Sequence, residues 1–110
     1  MPNSYIYIMS NTGLTTLYIG VTNNLERRVL EHKLEIGSDF TKRYRLKRLL
    51  YFEEGSSIEN AIAREKRLKK WHRDWKWNLI KSTNPNLDDL SNGWYDEEML
   101  KGLDPETGSG

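Results

Sequence analysis

Apolar and polar side chains alternate with a period of two in two early stretches of the chain. Tyr5, Tyr7 and Met9 alternate with Ile6 and Ile8, and Thr16, Tyr18 and Gly20 alternate with Leu17, Ile19 and Val21. Successive side chains of a strand point to opposite faces, so residues 4–9 and 16–21 are expected as strands. Ser10-Asn11-Thr12-Gly13 supplies turn chemistry between them, which predicts an antiparallel hairpin. Placing Tyr7 opposite Tyr18 sets Ile6 against Ile19 and Ile8 against Leu17. The aliphatic residues then share one face and the tyrosines the other. Leu46 to Glu54, with Leu49, Leu50, Tyr51 and Phe52, reads as a third strand antiparallel to the first.

Helical signals fill the intervals. Asn23 with Glu26 three residues later has the form of an N-cap and N3 pair, opening a helix over residues 24–35 that Gly37 would end. Ser56-Ser57-Ile58-Glu59 is a capping-box pattern ahead of a second helix, Ile58 to Lys70. A third is expected from Trp71 to Ser82, stopped by Asn84-Pro85 because the residue before proline is pushed out of helical geometry. The predicted fold class is α+β, a small three-stranded antiparallel sheet flanked by helices. Residues 1–85 would form the domain and 86–110 an acidic, partly disordered tail. In that tail Leu87, Leu90, Trp94 and Leu103 are the side chains able to pack back, and residues 107–110 are expected to be mobile.

A length of 110 residues suits one domain with its own core. With no cysteine, disulfides, thiolate nucleophiles and cysteine-ligated zinc are excluded, and two histidines do not make a zinc site unaided. No apolar run approaches a membrane span and Met-Pro-Asn-Ser is not a signal peptide, so a soluble, cytoplasmic protein is expected. The net charge of +1 hides a split. Residues 1–82 carry 16 Lys and Arg against 9 Asp and Glu, whereas residues 83–110 carry 1 against 7. A basic body points to a polyanionic partner, and the acidic tail would be able to occupy a basic cleft.

Some charges fall on stripes that the periodicity assigns to the core. On the second helix Ile58, Ala61, Ile62 and Leu68 mark one face and Glu65 sits in the middle of it. On the first, Leu25, Val29 and Ile36 mark a face, with His32 about 20° and Arg28 about 60° from Leu25. A charge removed from water must be paired, bound to metal or turned to a cleft. An internal salt bridge between Arg28 and Glu65 would satisfy both. A cleft shared with the Tyr7 and Tyr18 hydroxyls would do so as well.

Tyr5-Ile6-Tyr7, Tyr18-Ile19-Gly20-Val21-Thr22-Asn23, Leu25-Glu26-Arg27-Arg28 and Ala61-Ile62-Ala63-Arg64-Glu65-Lys66-Arg67-Leu68-Lys69 resemble the motifs of the GIY-YIG nuclease superfamily, over about residues 4–90. That superfamily includes homing endonucleases and the incision subunit of bacterial nucleotide excision repair, and the likeness is greatest to its short, stand-alone bacterial members. The resemblance implies a GIY-YIG nuclease-like fold. It also implies that Tyr7 and Tyr18 are the motif tyrosines, Gly20 the motif glycine, Arg28 the helix arginine and Glu65 the metal-binding glutamate. His32 stands where other branches carry a histidine or a tyrosine. Two positions depart from the pattern: Tyr5 replaces the first glycine, and Val21 stands where repair members place a lysine.

The function so implied is metal-dependent hydrolysis of DNA phosphodiester bonds, structure-selective and connected with repair or recombination. Tyr7, Tyr18, Arg28, His32 and Glu65 would be catalytic, and one Mg2+ or Mn2+ ion would be held by Glu65 and substrate phosphate. A phenol needs a nearby cation or metal-bound water to act as a base at neutral pH, and Tyr7, Tyr18 and His32 all remain candidates for proton transfer. Gly20 would leave room for the substrate backbone or avoid a clash beside Tyr5. Lys42, Arg43, Arg67, Lys69, Lys70, Arg73 and Lys76 belong to two basic clusters suited to duplex or branched DNA phosphates. Trp71, Trp75 and Trp77 among them would either stack on bases or pack in the core, especially Trp71 and Trp75. The alternatives are a nucleic-acid-binding module with little turnover, and a protein-interaction domain built on the tryptophan-rich helix.

Overall fold

The computed structural model describes residues 3–37 and 39–102. Leu103 and residues 107–110, named above, lie outside them. Three strands, β1 (Ser4–Ser10), β2 (Leu17–Thr22) and β3 (Arg48–Gly55), form an antiparallel sheet in the order β2-β1-β3. The helices are α1 (Leu25–Lys33), α2 (Asp39–Tyr44), α3 (Ile58–Lys70), α4 (Arg73–Thr83) and α5 (Glu97–Gly102). The α+β class and the antiparallel third strand are as expected. The short α2 and α5 carry too few turns for a periodic signal and were not foreseen.

The hairpin register differs from the expected one by two residues. Tyr7 pairs with Gly20, Ile8 with Ile19 and Met9 with Tyr18, so Tyr7 is not opposite Tyr18. The correction leaves both faces intact, because a shift of two preserves the direction of every side chain. Its cause is the loop. Asn11 accepts through Oδ1 from the backbone N–H groups of Thr15 and Thr16 at 2.9 and 3.1 Å, and donates through Nδ2 to the Thr15 hydroxyl at 2.7 Å. This clamp closes a six-residue loop, 11–16, in place of a tighter turn.

On one face of the sheet Ile6, Ile8, Ile19, Leu50 and Tyr51 pack with Ala61 and Leu68 of α3 and Ile80 of α4. On the other, Tyr7, Met9 and Leu49 pack with Leu25 and Val29 of α1 and with Leu46. A bulge at Leu50 lets β3 serve both. The carbonyl of Leu50 accepts from Nδ2 of the buried Asn84 at 3.0 Å, so this backbone group does not go unpaired.

Helix ends explain the remaining differences. Asn24, not Asn23, caps α1 by accepting from the N–H of Arg27 at 3.1 Å. The helix stops before Gly37 because Glu35 takes the left-handed conformation at φ 59°, and Ile36 N–H returns to the Glu31 carbonyl at 3.0 Å. Ile36 is therefore exposed and does not mark the buried face. Helix α3 has the expected bounds, with the Ser57 side chain accepting from Asn60 N–H. Its buried stripe is rotated, however: Ile58 and Ile62 are 43% and 39% exposed, and only Ala61 and Leu68 are fully enclosed. Trp71 and His72 are extended or turn-like, so α4 starts at Arg73.

The chain after α4 folds back over the tyrosine face. Leu90 and Trp94 pack against that cluster and Leu87 against the other. Asp89 accepts from Lys33 Nζ at 2.7 Å, from Leu49 N–H at 3.1 Å and from Ser91 N–H at 3.0 Å. This acidic segment is thus anchored to α1 and β3, with Trp94 against Phe52 and the Tyr95 hydroxyl donating to the Glu26 carbonyl at 2.6 Å. The expected docking into a basic cleft is not what its described part does.

Candidate active site

Tyr7 projects from the central strand and is fully enclosed. Its hydroxyl lies 3.0 Å from Nε2 of His32, which α1 delivers two turns after its cap. No side-chain polar atom other than His32 Nδ1 is buried without a partner among the described residues. Burial, reinforced by the neighbouring Arg28 guanidinium, pushes His32 down to about 4, so its ring is neutral at physiological pH. Tyr7 is raised well above the ordinary phenol range by burial first and then by Tyr18, which Arg28 only partly offsets. The dyad therefore has no charge near neutrality.

Tyr18 completes a triangle. Its ring centroid is 6.2 Å from that of Tyr7 and 5.6 Å from that of His32, and the residue is only half-buried. It reaches one side of the site from β2, at the edge of the sheet, where it forms the floor of a groove of about 240 Å³ together with Phe40, Lys69 and Lys76.

Gly20 decides whether the triangle can form. An added Cβ would stand 2.6 Å from both Cζ and the hydroxyl oxygen of Tyr7. The conflict is with Tyr7 and not with Tyr5, which pairs with Thr22. The glycine thus makes space for a tyrosine of its own sheet.

Arg28 and Glu65 do not form the internal salt bridge. Arg28 Nε donates to Glu31 at 3.1 Å, and Glu65 meets Lys69 Nζ at 3.2 Å. Arg28 lines a cavity of about 980 Å³ with Val21, Ser57 and Ile58. Burial works against its charge, but the Tyr7 oxygen and Glu31 outweigh that and raise its pKa, so it is a permanent cation beside the phenol. Glu65 is close enough for its charge to be felt at Tyr7. Its side chain is 19% exposed and paired with Lys69, so it is neither fully enclosed nor an unpaired charge in the core.

No group of three or more His, Cys, Asp or Glu suited to a metal occurs among the described residues. A single partly exposed carboxylate, Glu65, fits a hard divalent ion that keeps several waters and takes other oxygens from a phosphate, and does not fit a preformed protein cage.

The basic candidates divide by location. Lys69 and Lys76 flank the Tyr18 groove, and Lys42 and Arg43 are exposed on α2, which supplies its other wall through Phe40. Arg67 and Lys70 are exposed on α3. Arg73 donates to the Thr15 carbonyl at 2.8 Å and lies over the Trp77 ring, so it ties α4 to the hairpin loop. Trp71 and Trp77 pack against the core, whereas Trp75 is more exposed than buried, contrary to its expected packing. Phe40 and Tyr44 were missed. The available signal was aromatic residues interleaved with the cations Lys42, Arg43 and Arg45.

A three-stranded antiparallel sheet with an edge tyrosine, an enclosed tyrosine beneath it, an α1 arginine and an α3 glutamate defines a small nuclease-type domain. The GIY-YIG catalytic domain family matches residues 3–78, and this chain belongs to that family. It is 37% identical over 86 residues to a UPF0213 protein of Syntrophus aciditrophicus, covering 77% of this chain and 97% of the relative. It is also 37% identical to a UPF0213 protein of Clostridium perfringens, covering 72% and 84%, and 36% identical to one of Natronomonas pharaonis, covering 69% and 88%. No solved structure matches the chain. Family membership implies a nuclease-type function and a nucleic-acid substrate. No helix among the described residues is long and apolar enough to cross a membrane.

Proposed function

We propose that this chain is a metal-dependent endonuclease that hydrolyses DNA phosphodiester bonds, with branched or flapped duplexes as substrates. The observation that supports it best is that Glu65 keeps partial exposure and is not sealed by Arg28, while both lie close enough to act electrostatically on Tyr7. Glu65 would hold one Mg2+ or Mn2+ ion, which when bound polarises a phosphoryl oxygen and acidifies a bound water.

The chain's own groups divide the remaining work. Tyr18 is the phenol that reaches the groove; as the phenolate, its own proton having passed to solvent, its oxygen would take one proton of the attacking water and return to the neutral phenol. Arg28 faces the phosphate with a planar fork and offsets the charge that builds on it. Tyr7 is held protonated and enclosed, and His32, neutral and enclosed too, positions it through Nε2. Lys69 and Lys76 contact the flanking phosphates.

The decisive experiment incubates the protein with duplex, single-stranded and flapped DNA in magnesium, manganese or chelator. Metal-dependent products that fall about 100-fold or more in Glu65→Ala, with DNA binding kept, are expected, since an ion contributes several kcal/mol at the transition state. The second reading, a binding module without turnover, is favoured by one observation. Val21 places an apolar side chain beside Arg28, where the repair members of the family carry a lysine. Salt-sensitive binding without products in any metal would select it.

A further inference from the structure

An unbroken series of aromatic rings leads from the enclosed dyad to the surface. Tyr18 is followed by Phe40 at a centroid distance of 5.9 Å, and Phe40 by Tyr44 at 4.8 Å. Phe40 is 46% and Tyr44 41% exposed. Neither ring is needed to fill either core cluster. Two large rings left together in water, beside the tyrosine that reaches the groove, mark a contact surface.

Charge identifies what the surface contacts. Lys69 and Lys76 line the same groove as Phe40, and Lys42 and Arg43 are exposed on the same helix as the rings, with Arg43 5.7 Å from the Tyr44 centroid. Cations beside adjacent exposed rings match a ligand that alternates anionic phosphates with flat apolar faces. A groove of about 240 Å³ is on the scale of a single nucleobase.

We propose that Phe40 and Tyr44 form a stacking platform for an unpaired nucleobase, placing single-stranded DNA beside Tyr18. The inference rests on the nuclease reading for its substrate and deepens it: the enzyme engages the unpaired strand at a junction or flap. Stacking on such a platform has no base preference, because every base offers a π face.

Binding is measured in chelator, where no cleavage occurs, by anisotropy of a fluorescein-labelled single-stranded 20-mer and of the same sequence as a blunt duplex. Wild-type protein is expected to prefer the single strand. Phe40→Ala should weaken single-strand binding by about tenfold and duplex binding by less than twofold, and Phe40→Trp should restore it. A 2-aminopurine in the strand should be quenched by wild type and by Phe40→Trp but not by Phe40→Ala. Circular dichroism verifies that the variants fold. The proposal is overturned by a wild type without single-strand preference, by an unchanged Phe40→Ala, or by equal losses on both ligands. Cleavage is read separately in metal. Single-strand stacking without products would defeat the nuclease reading alone, and cleavage of flapped DNA unchanged in Phe40→Ala would defeat the platform alone.

Discussion

The ring of Tyr7 lies so close to its cross-strand partner Gly20 that no side chain of any size fits at residue 20 without moving it. The pairing links the two halves of the family motif by contact. Residue 20 must be glycine because residue 7 is an enclosed tyrosine, held from its far end by His32.

Gly20→Ala should therefore cost about 1–3 kcal/mol, the range for overpacking, although alanine is ordinarily the better strand residue by about 0.5–1 kcal/mol. In a Tyr7→Leu background the same change should be neutral or stabilising. Urea denaturation of the four proteins of this cycle measures the coupling. An equal cost in both backgrounds would show that the glycine serves something other than Tyr7.

His32 makes stability depend on pH in a defined window. Its folded value is about 4, against 6.5 when unfolded, so between these the unfolded chain binds the extra proton. Stability should fall as pH drops from 6.5 towards 4, by about 2–3 kcal/mol in all. Asp89, held below its ordinary value of 3.8 by Lys33, Ser91 and Leu49 despite its partial burial, loses its contribution only at lower pH. Thermal melts across pH 4–7 should lose this slope in His32→Phe; a retained slope would assign it to another group.

The two tyrosines should respond oppositely to loss of the hydroxyl. Tyr7→Phe strands Nε2 of His32 in the core and should destabilise by about 1–3 kcal/mol. Tyr18→Phe should leave stability within about 0.5 kcal/mol, because this half-buried residue's hydroxyl makes no hydrogen bond among the described residues. Its cleavage rate should nevertheless drop by a factor of about 100 or more, as expected for general-base loss. Wild-type cleavage by a folded Tyr18→Phe would remove this phenol from the mechanism.

Asp89→Ala should release the segment after α4, at a cost of about 2–3 kcal/mol, since one carboxylate receives Lys33 and two backbone N–H groups. Asp89→Asn keeps an oxygen for Leu49 and Ser91 and should cost about half as much. Hydrogen exchange at residues 87–95 locates the effect, and a variant with unchanged protection there would dismiss the clamp.

What could be read from the sequence was whatever depends on neighbours in the chain. The bounds of α3 follow from Ser57 at one end and the change of pattern at Trp71 at the other, and the shared face of Tyr5, Tyr7 and Tyr18 follows from a period of two. The family match rests on the same short-range motifs. The hairpin register was not legible, because a slip of two residues leaves every face as it was and only the Asn11 clamp chooses between the alternatives. Nor was the environment of each charge. Periodicity placed Glu65 among apolar residues, but the packing of α3 across the sheet left Ile58 and Ile62 more exposed than the acid, which is partly covered and paired with Lys69.

The chain alone thus determined the elements, the tyrosine face and the kind of chemistry, since local geometry and residue type suffice for those. Tertiary structure decided which tyrosine is enclosed and which reaches the groove, that Arg28 pairs with Glu31 and Glu65 with Lys69, and that Phe40 stands beside Tyr18. These are relations between residues far apart in the chain. Burial, pairing and pKa depend on what the whole fold places around a group, which no local pattern encodes.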